Sequence, residues 1–152
     1  MPNPVMLMII EAGDVVVPVD STHPLPTSLA ALGDKTATEI LDEATIAAGA
    51  TTVLADCSSI DLSTGKITLV LTVEATYNAA AVLGIRIHVR TSYDNTNWDT
   101  ENWDTWDANF AAGATIRQSE DYCTSPMYIK VLVENLDPAQ AVTNVKVIST
   151  LG

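Results

Sequence analysis

Aromatic residues are scarce in this chain of 152 residues: three Trp, four Tyr and one Phe. A core must therefore be built mostly from Val, Ile, Leu and Ala. Basic residues are scarce too, seven against nineteen acids, for a net charge of −12. A surface this acidic repels phosphate backbones, which argues against DNA or RNA as a direct partner. The two cysteines, Cys57 and Cys123, are too few for a disulfide framework. Two free thiols or one bridge would both fit, and free thiols are favoured because nothing marks the chain for a secretory route. The two histidines, His23 and His88, lie far from any cluster of further ligands, so the spacing of a zinc site is missing. The seven glycines are scattered and form no phosphate-cradling loop. The apolar run Val5–Ile10 lacks a basic lead-in, is too short to span a bilayer and does not fit a secretory signal.

What the chain does have is apolar content, 47% against 17% charged. That suits one folded domain with a real core. From about residue 51 onward the apolar residues alternate. Ile67, Leu69, Leu71 and Val73 share one face, opposite Lys66, Thr68, Thr72 and Glu74. Leu83, Ile85, Ile87 and Val89 are expected to face inward, and Arg86, His88 and Arg90 outward. Ile129, Val131 and Val133 repeat the pattern, as do Val145 and Val147. Period-two alternation is the mark of a half-buried strand. Weaker strands are expected at 52–55, 106–110 and 114–118. Turn residues separate the runs, among them Asp94–Asn97 and Asp137-Pro138. The prediction is an all-β fold, an antiparallel, jelly-roll-like β-sandwich over 51–152.

Residues 1–50 read as an extended N-terminal arm and connecting segment. Val15–Val19 contains a proline, which suits an edge or a free arm. His23-Pro24-Leu25-Pro26 is held near extended geometry, because residues before proline avoid the helical region. Residues 34–48 fit a capped helix or a strand, and strand is favoured by the β character of the rest. At roughly 3.3 Å per residue an arm of about 20 residues reaches on the order of 65 Å. Its unpaired backbone and Val15, Val17 and Val19 could add a strand to a neighbour's sheet.

Charge is unevenly distributed. Residues 1–61 carry a net −8, 62–93 a net +2 and 94–107 a net −5. The acidic arm of one subunit could therefore lie on the Arg86–His88–Arg90 row of another. The stretch 93–107 holds Trp98, Trp103 and Trp106 with five acids and no base. It could lid the core, contact a partner, stack on a sugar, or bind calcium through Asn95, Asn97 and Asp99. The calcium reading lacks the glycine and the glutamate that such a loop needs. Neither histidine looks placed as a buried base for a nucleophile, and close carboxylate pairs among nineteen acids carry no information. No catalytic residue, metal site or cofactor is assigned.

Gly13–Thr27 resembles the arm common in small structural proteins of tailed bacteriophages. Ile60–Ser63, Lys66–Val73, Val89–Trp98 and Met127–Val131 resemble their sandwich pattern, with Asn95 in place of a turn glycine and Lys130 in place of an arginine. The resemblance implies a non-enzymatic virion accessory role. That is a head decoration (cement) protein, a homotrimer made in the host cytoplasm and bound to the major capsid protein on the capsid surface. Candidate partner contacts are then Val15, Val17, Val19, Pro24, Leu25, Arg86, His88 and Arg90. The turn at 94–98 is also similar to that of discoidin-type carbohydrate-binding modules. This keeps a lectin-like module open for Trp98, Trp103 and Trp106, beside a tail or head–tail component.

Overall fold

The computed structural model describes residues 8–10, 16–18 and 35–152, and the chain divides into two compact units, Met1–Asp34 and Lys35–Gly152. In the first unit β1 (Met8–Ile10) pairs antiparallel with β2 (Val16–Pro18), Ile9 opposite Val17. Val16–Pro18, expected from the sequence as part of an unpaired arm, pairs along one edge with Met8–Ile10. Pro18 sits at the end of this pairing, where a missing N–H is tolerated.

The second unit is an all-β sandwich. Its strands are β3 (Thr36–Ile46), β4 (Ile60–Asp61), β5 (Leu69–Tyr77), β6 (Ile85–Ser92), β7 (Asp104–Asp107), β8 (Thr115–Tyr122), β9 (Tyr128–Asn135) and β10 (Val142–Leu151). One antiparallel sheet has the order β3-β10-β5-β8 and the other β4-β9-β6-β7. The chain crosses between sheets so that sequence neighbours are rarely sheet neighbours, the strand order of a jelly roll.

Alternation builds the core. Leu69, Leu71, Val73, Ala75 and Tyr77 of β5 point inward, as do Ile85, Ile87 and Val89 of β6, Ile129, Val131 and Val133 of β9, and Val145 and Val147 of β10. Many outward positions are polar and paired across strands, with Val70 an apolar exception. Thr72 meets Ser119 and Thr76 meets Thr115, both at 2.8 Å, Arg117 pairs with Glu74, and Lys146 reaches Glu39 and Asp42.

Several sequence expectations shift. Within the 34–48 stretch Thr36–Ile46 is strand, as favoured, and this β3 belongs to the sandwich rather than to the expected 1–50 arm and connector, since it pairs with β10 over most of its length. Ile67 is 61% exposed rather than inward. Thr68 and Gly152 exchange both backbone bonds as the last rung beside β5 and β10, and Ile67, whose N–H shares the Gly152 carbonyl, lies beyond it. Leu83 is also exposed, because its N–H and that of Val82 turn toward the Asp137 carboxylate before β6 begins. Residues 52–55 form a turn instead of a strand, closed by Asp56 N–H donating to Val53 O and Val53 N–H donating to Asp56 Oδ2. The expected strand at 106–110 is β7, displaced to 104–107, and Phe110 lies beyond it, edge-on against Tyr77. Both cysteines are free thiols, Cys57 buried and Cys123 exposed.

Candidate functional site

The antiparallel registers place the β4–β5, β6–β7 and β8–β9 connections at one end of the sandwich. The long β6–β7 loop, residues 93–103, dominates that end, and its shape comes from two side chains. Ser92, buried at the end of β6, donates through Oγ to the carbonyl of Asn97 at 2.6 Å and accepts from Asn95 N–H at 3.0 Å. Asp94 accepts from Asn97 N–H at 2.8 Å, Asn97 Nδ2 at 2.7 Å and Thr96 N–H at 3.0 Å. These bonds, the Asn97 amide foremost, hold the Asp94 carboxyl far below the usual carboxylate range. Asn95 takes a left-handed φ of 60°, the conformation expected where the resembling turn has glycine. Further along, Thr91 Oγ1 donates to Asp99, Asp99 N–H to Thr91 O, and Trp103 N–H to Val89 O at 2.8 Å. The loop is therefore fixed at both ends and in the middle.

The three tryptophans part company. Trp98 is half-buried, with the Lys130 ammonium 5.4 Å from its ring centre, a cation–π contact. Trp106 turns inward and packs against the core. Trp103 stays 41% exposed, its ring 5.8 Å from that of Tyr122 and tilted 45°. Tyr122 donates to Asp104 Oδ2 at 2.8 Å, and burial followed by that carboxylate raises its phenol above the ordinary value.

Trp103 borders two adjoining surface cavities. One, of about 390 Å³, is lined by Thr91, Ser92, Tyr93, Asp99, Trp103, Ser125, Pro126 and Met127. The other, of about 320 Å³, shares Thr91, Asp99 and Trp103 and adds Thr100, Glu101 and Asn102. Tyr93 is 73% exposed and Met127 47%. The groove thus combines two aromatic faces and a thioether with Asp99 and Glu101, and its lining contains no basic residue. Tyr93 opens the acidic, tryptophan-rich stretch and was visible there. Nothing in the sequence placed Met127 beside this stretch, since only the fold brings the β8–β9 connection next to the β6–β7 loop.

The outward row of Arg86, His88 and Arg90 is present on β6, and each of its side chains has a partner within the chain. Arg86 forks onto Asp107 at 2.6 and 3.1 Å, and Arg90 Nε donates to Asn102 Oδ1 at 3.1 Å. His88 Nε2 lies 2.9 Å from Glu134 Oε2, and its Nδ1 lies 2.9 Å from Asn102 Nδ2 and 3.3 Å from Thr105 Oγ1. A proton on Nε2 serves all three contacts. Arg86 thus meets a carboxylate of its own chain, whereas Arg90 meets only a neutral amide. Val17 lies on β2, whereas Val15, Val19, Pro24 and Leu25 lie outside the described residues. Among the described residues no group of three or more His, Cys, Asp and Glu could hold a metal ion. Compared with known proteins, the chain matches no family model and no curated protein.

Proposed function

We propose that this chain is a non-enzymatic structural protein of a virion. In this reading it is a decoration or cement protein that binds and stabilises the exterior of a bacteriophage head, joined to copies of itself as a homotrimer and to the major capsid protein. The fold supports the reading through its strand order, β3-β10-β5-β8 over β4-β9-β6-β7 around an aliphatic core. Jelly rolls of this kind serve in capsid and lectin domains, and the fold by itself does not choose between them. The choice comes from the phage-like stretches at 13–27, 60–63, 89–98 and 127–131.

A cement protein must hold its shape under load and needs no reactive centre. The polar side chains of this body fit that demand. Both nitrogens of His88 serve cross-strand contacts, to Glu134 and Thr105. The Cys57 thiol is buried, accepts the Val131 N–H at 3.2 Å and has its pKa raised, mainly by desolvation. Each side chain acts as a fastener within the sandwich.

The test is sedimentation of purified chain with expanded, undecorated phage heads. The proposal predicts saturable co-sedimentation and heads that resist heat longer when decorated. A chain that stays in the supernatant across the whole titration would contradict it.

A further inference from the structure

We propose that the Tyr93–Trp103–Met127 groove docks an arginine-bearing segment of the partner protein. That the partner is a capsid protein rests on the function proposed above, while the chemistry of the groove does not. Exposed Tyr, Trp and Met gathered on one patch are the composition of a protein contact, and arginine is the enriched counterpart on the other side. The electrostatics choose the same occupant. The β6–β7 loop carries Asp94, Asp99 and Glu101 and no base, and Asp99 and Glu101 line the groove with no basic residue among its lining. A guanidinium can stack on an aromatic face and fork onto a carboxylate at once. The same loop already holds one cation over a ring, Lys130 over Trp98, with the ammonium bonded to the Leu54 carbonyl. Trp103 and Tyr93 offer further rings with no such cation of their own among the lining residues. The loop is stiffened by Ser92, Asp94 and Thr91, so little ordering cost remains for binding.

A neutral Gly-Ser peptide carrying two arginines, and the same peptide with citrulline in their place, are titrated into labelled full-length chain while the Trp indole N–H signals are followed by NMR. The arginine peptide should shift the Trp103 signal saturably, and citrulline or high salt should weaken this by roughly threefold or more. Tyr93→Ala and Glu101→Gln, both exposed positions, should weaken it similarly, with folding checked by unchanged core methyl shifts. Equal binding of the two peptides, or maltoheptaose shifting Trp103 while the arginine peptide does not, would overturn the inference. On expanded heads the Tyr93→Ala/Glu101→Gln double variant should bind roughly tenfold more weakly than the wild type. A double variant that decorates heads as well as the wild type sinks the groove assignment and leaves the virion reading standing. Wild-type chain that ignores heads sinks the virion reading, and the peptide titration still judges the groove.

Discussion

The carboxylate of Asp137 accepts the backbone N–H of Val82 at 2.6 Å, tying the turn between β9 and β10 to the β5–β6 connection. Leu83 N–H adds a second bond to the same oxygen, while Ala139 and Gln140 donate to the other at 2.9 and 2.7 Å. The buried neighbour Asn135 joins in, its Oδ1 accepting Asp137 N–H and its Nδ2 donating to the carbonyls of Ala47 and Gln140. One short polar network thus closes the end of the sandwich opposite the aromatic groove.

Asp137→Ala removes the acceptor of four backbone amides and should lower Tm by roughly 5 °C or more. The amides, Val82 first, hold the Asp137 carboxyl at about 2, below the ordinary 3.8. Its folded-state pKa is depressed, so its stabilising contribution is complete above the ordinary value and is lost as pH falls through 2. Thermal melts from pH 7 to pH 2 should show wild type and variant converging at the acid end. A constant gap would contradict the assignment.

Asn95 occupies a left-handed turn position, where glycine is at ease and a β-branched side chain is strained. Asn95→Gly should leave Tm nearly unchanged, whereas Asn95→Val should lower it and broaden the amide signals of 94–98. Hydrogen exchange of the Asn97 amide is the sensitive probe, because that N–H bonds Asp94.

The two thiols should differ sharply in reactivity. Cys123 is exposed and its pKa is lowered, chiefly by the backbone N–H of Ser125, whereas that of Cys57 is raised by burial. A native thiol assay with a disulfide reagent should titrate one group quickly and the second only on denaturation. Cys123→Ser should abolish the fast phase. Two fast thiols would show that the Cys57 shelter under β9 is open.

Leu71 and Ile67 lie on one face by simple alternation, yet Leu71 is fully buried and Ile67 is not. Leu71→Ala should cost about 2–5 kcal/mol in urea unfolding, and Ile67→Ala no more than about 0.5. Equal costs would place Ile67 in the core after all.

These contrasts mark what the sequence makes legible. In β5, β6 and β9 an opposing sheet buries one face, so period two is enforced and readable residue by residue. The pattern misleads at Ile67 and Leu83, where the apolar letters continue past the end of the ladder. β3 is hard to read because its pairing with β10 shifts between Val147 and Ile148, and two successive residues, Ile40 and Leu41, are both buried. Half of the groove is legible in the dense aromatic stretch from Tyr93 to Trp103. The other half, Ser125 to Met127, has no local mark and is brought there by the crossing of the chain between sheets.

The central claim, that this sandwich decorates a phage head, is tested most directly by cryo-electron microscopy of expanded heads incubated with the purified chain. The account predicts added density on the outer surface, in trimeric clusters, into which the eight-stranded sandwich fits. Bare heads under saturating chain, or density confined to the tail or the portal vertex, would contradict it.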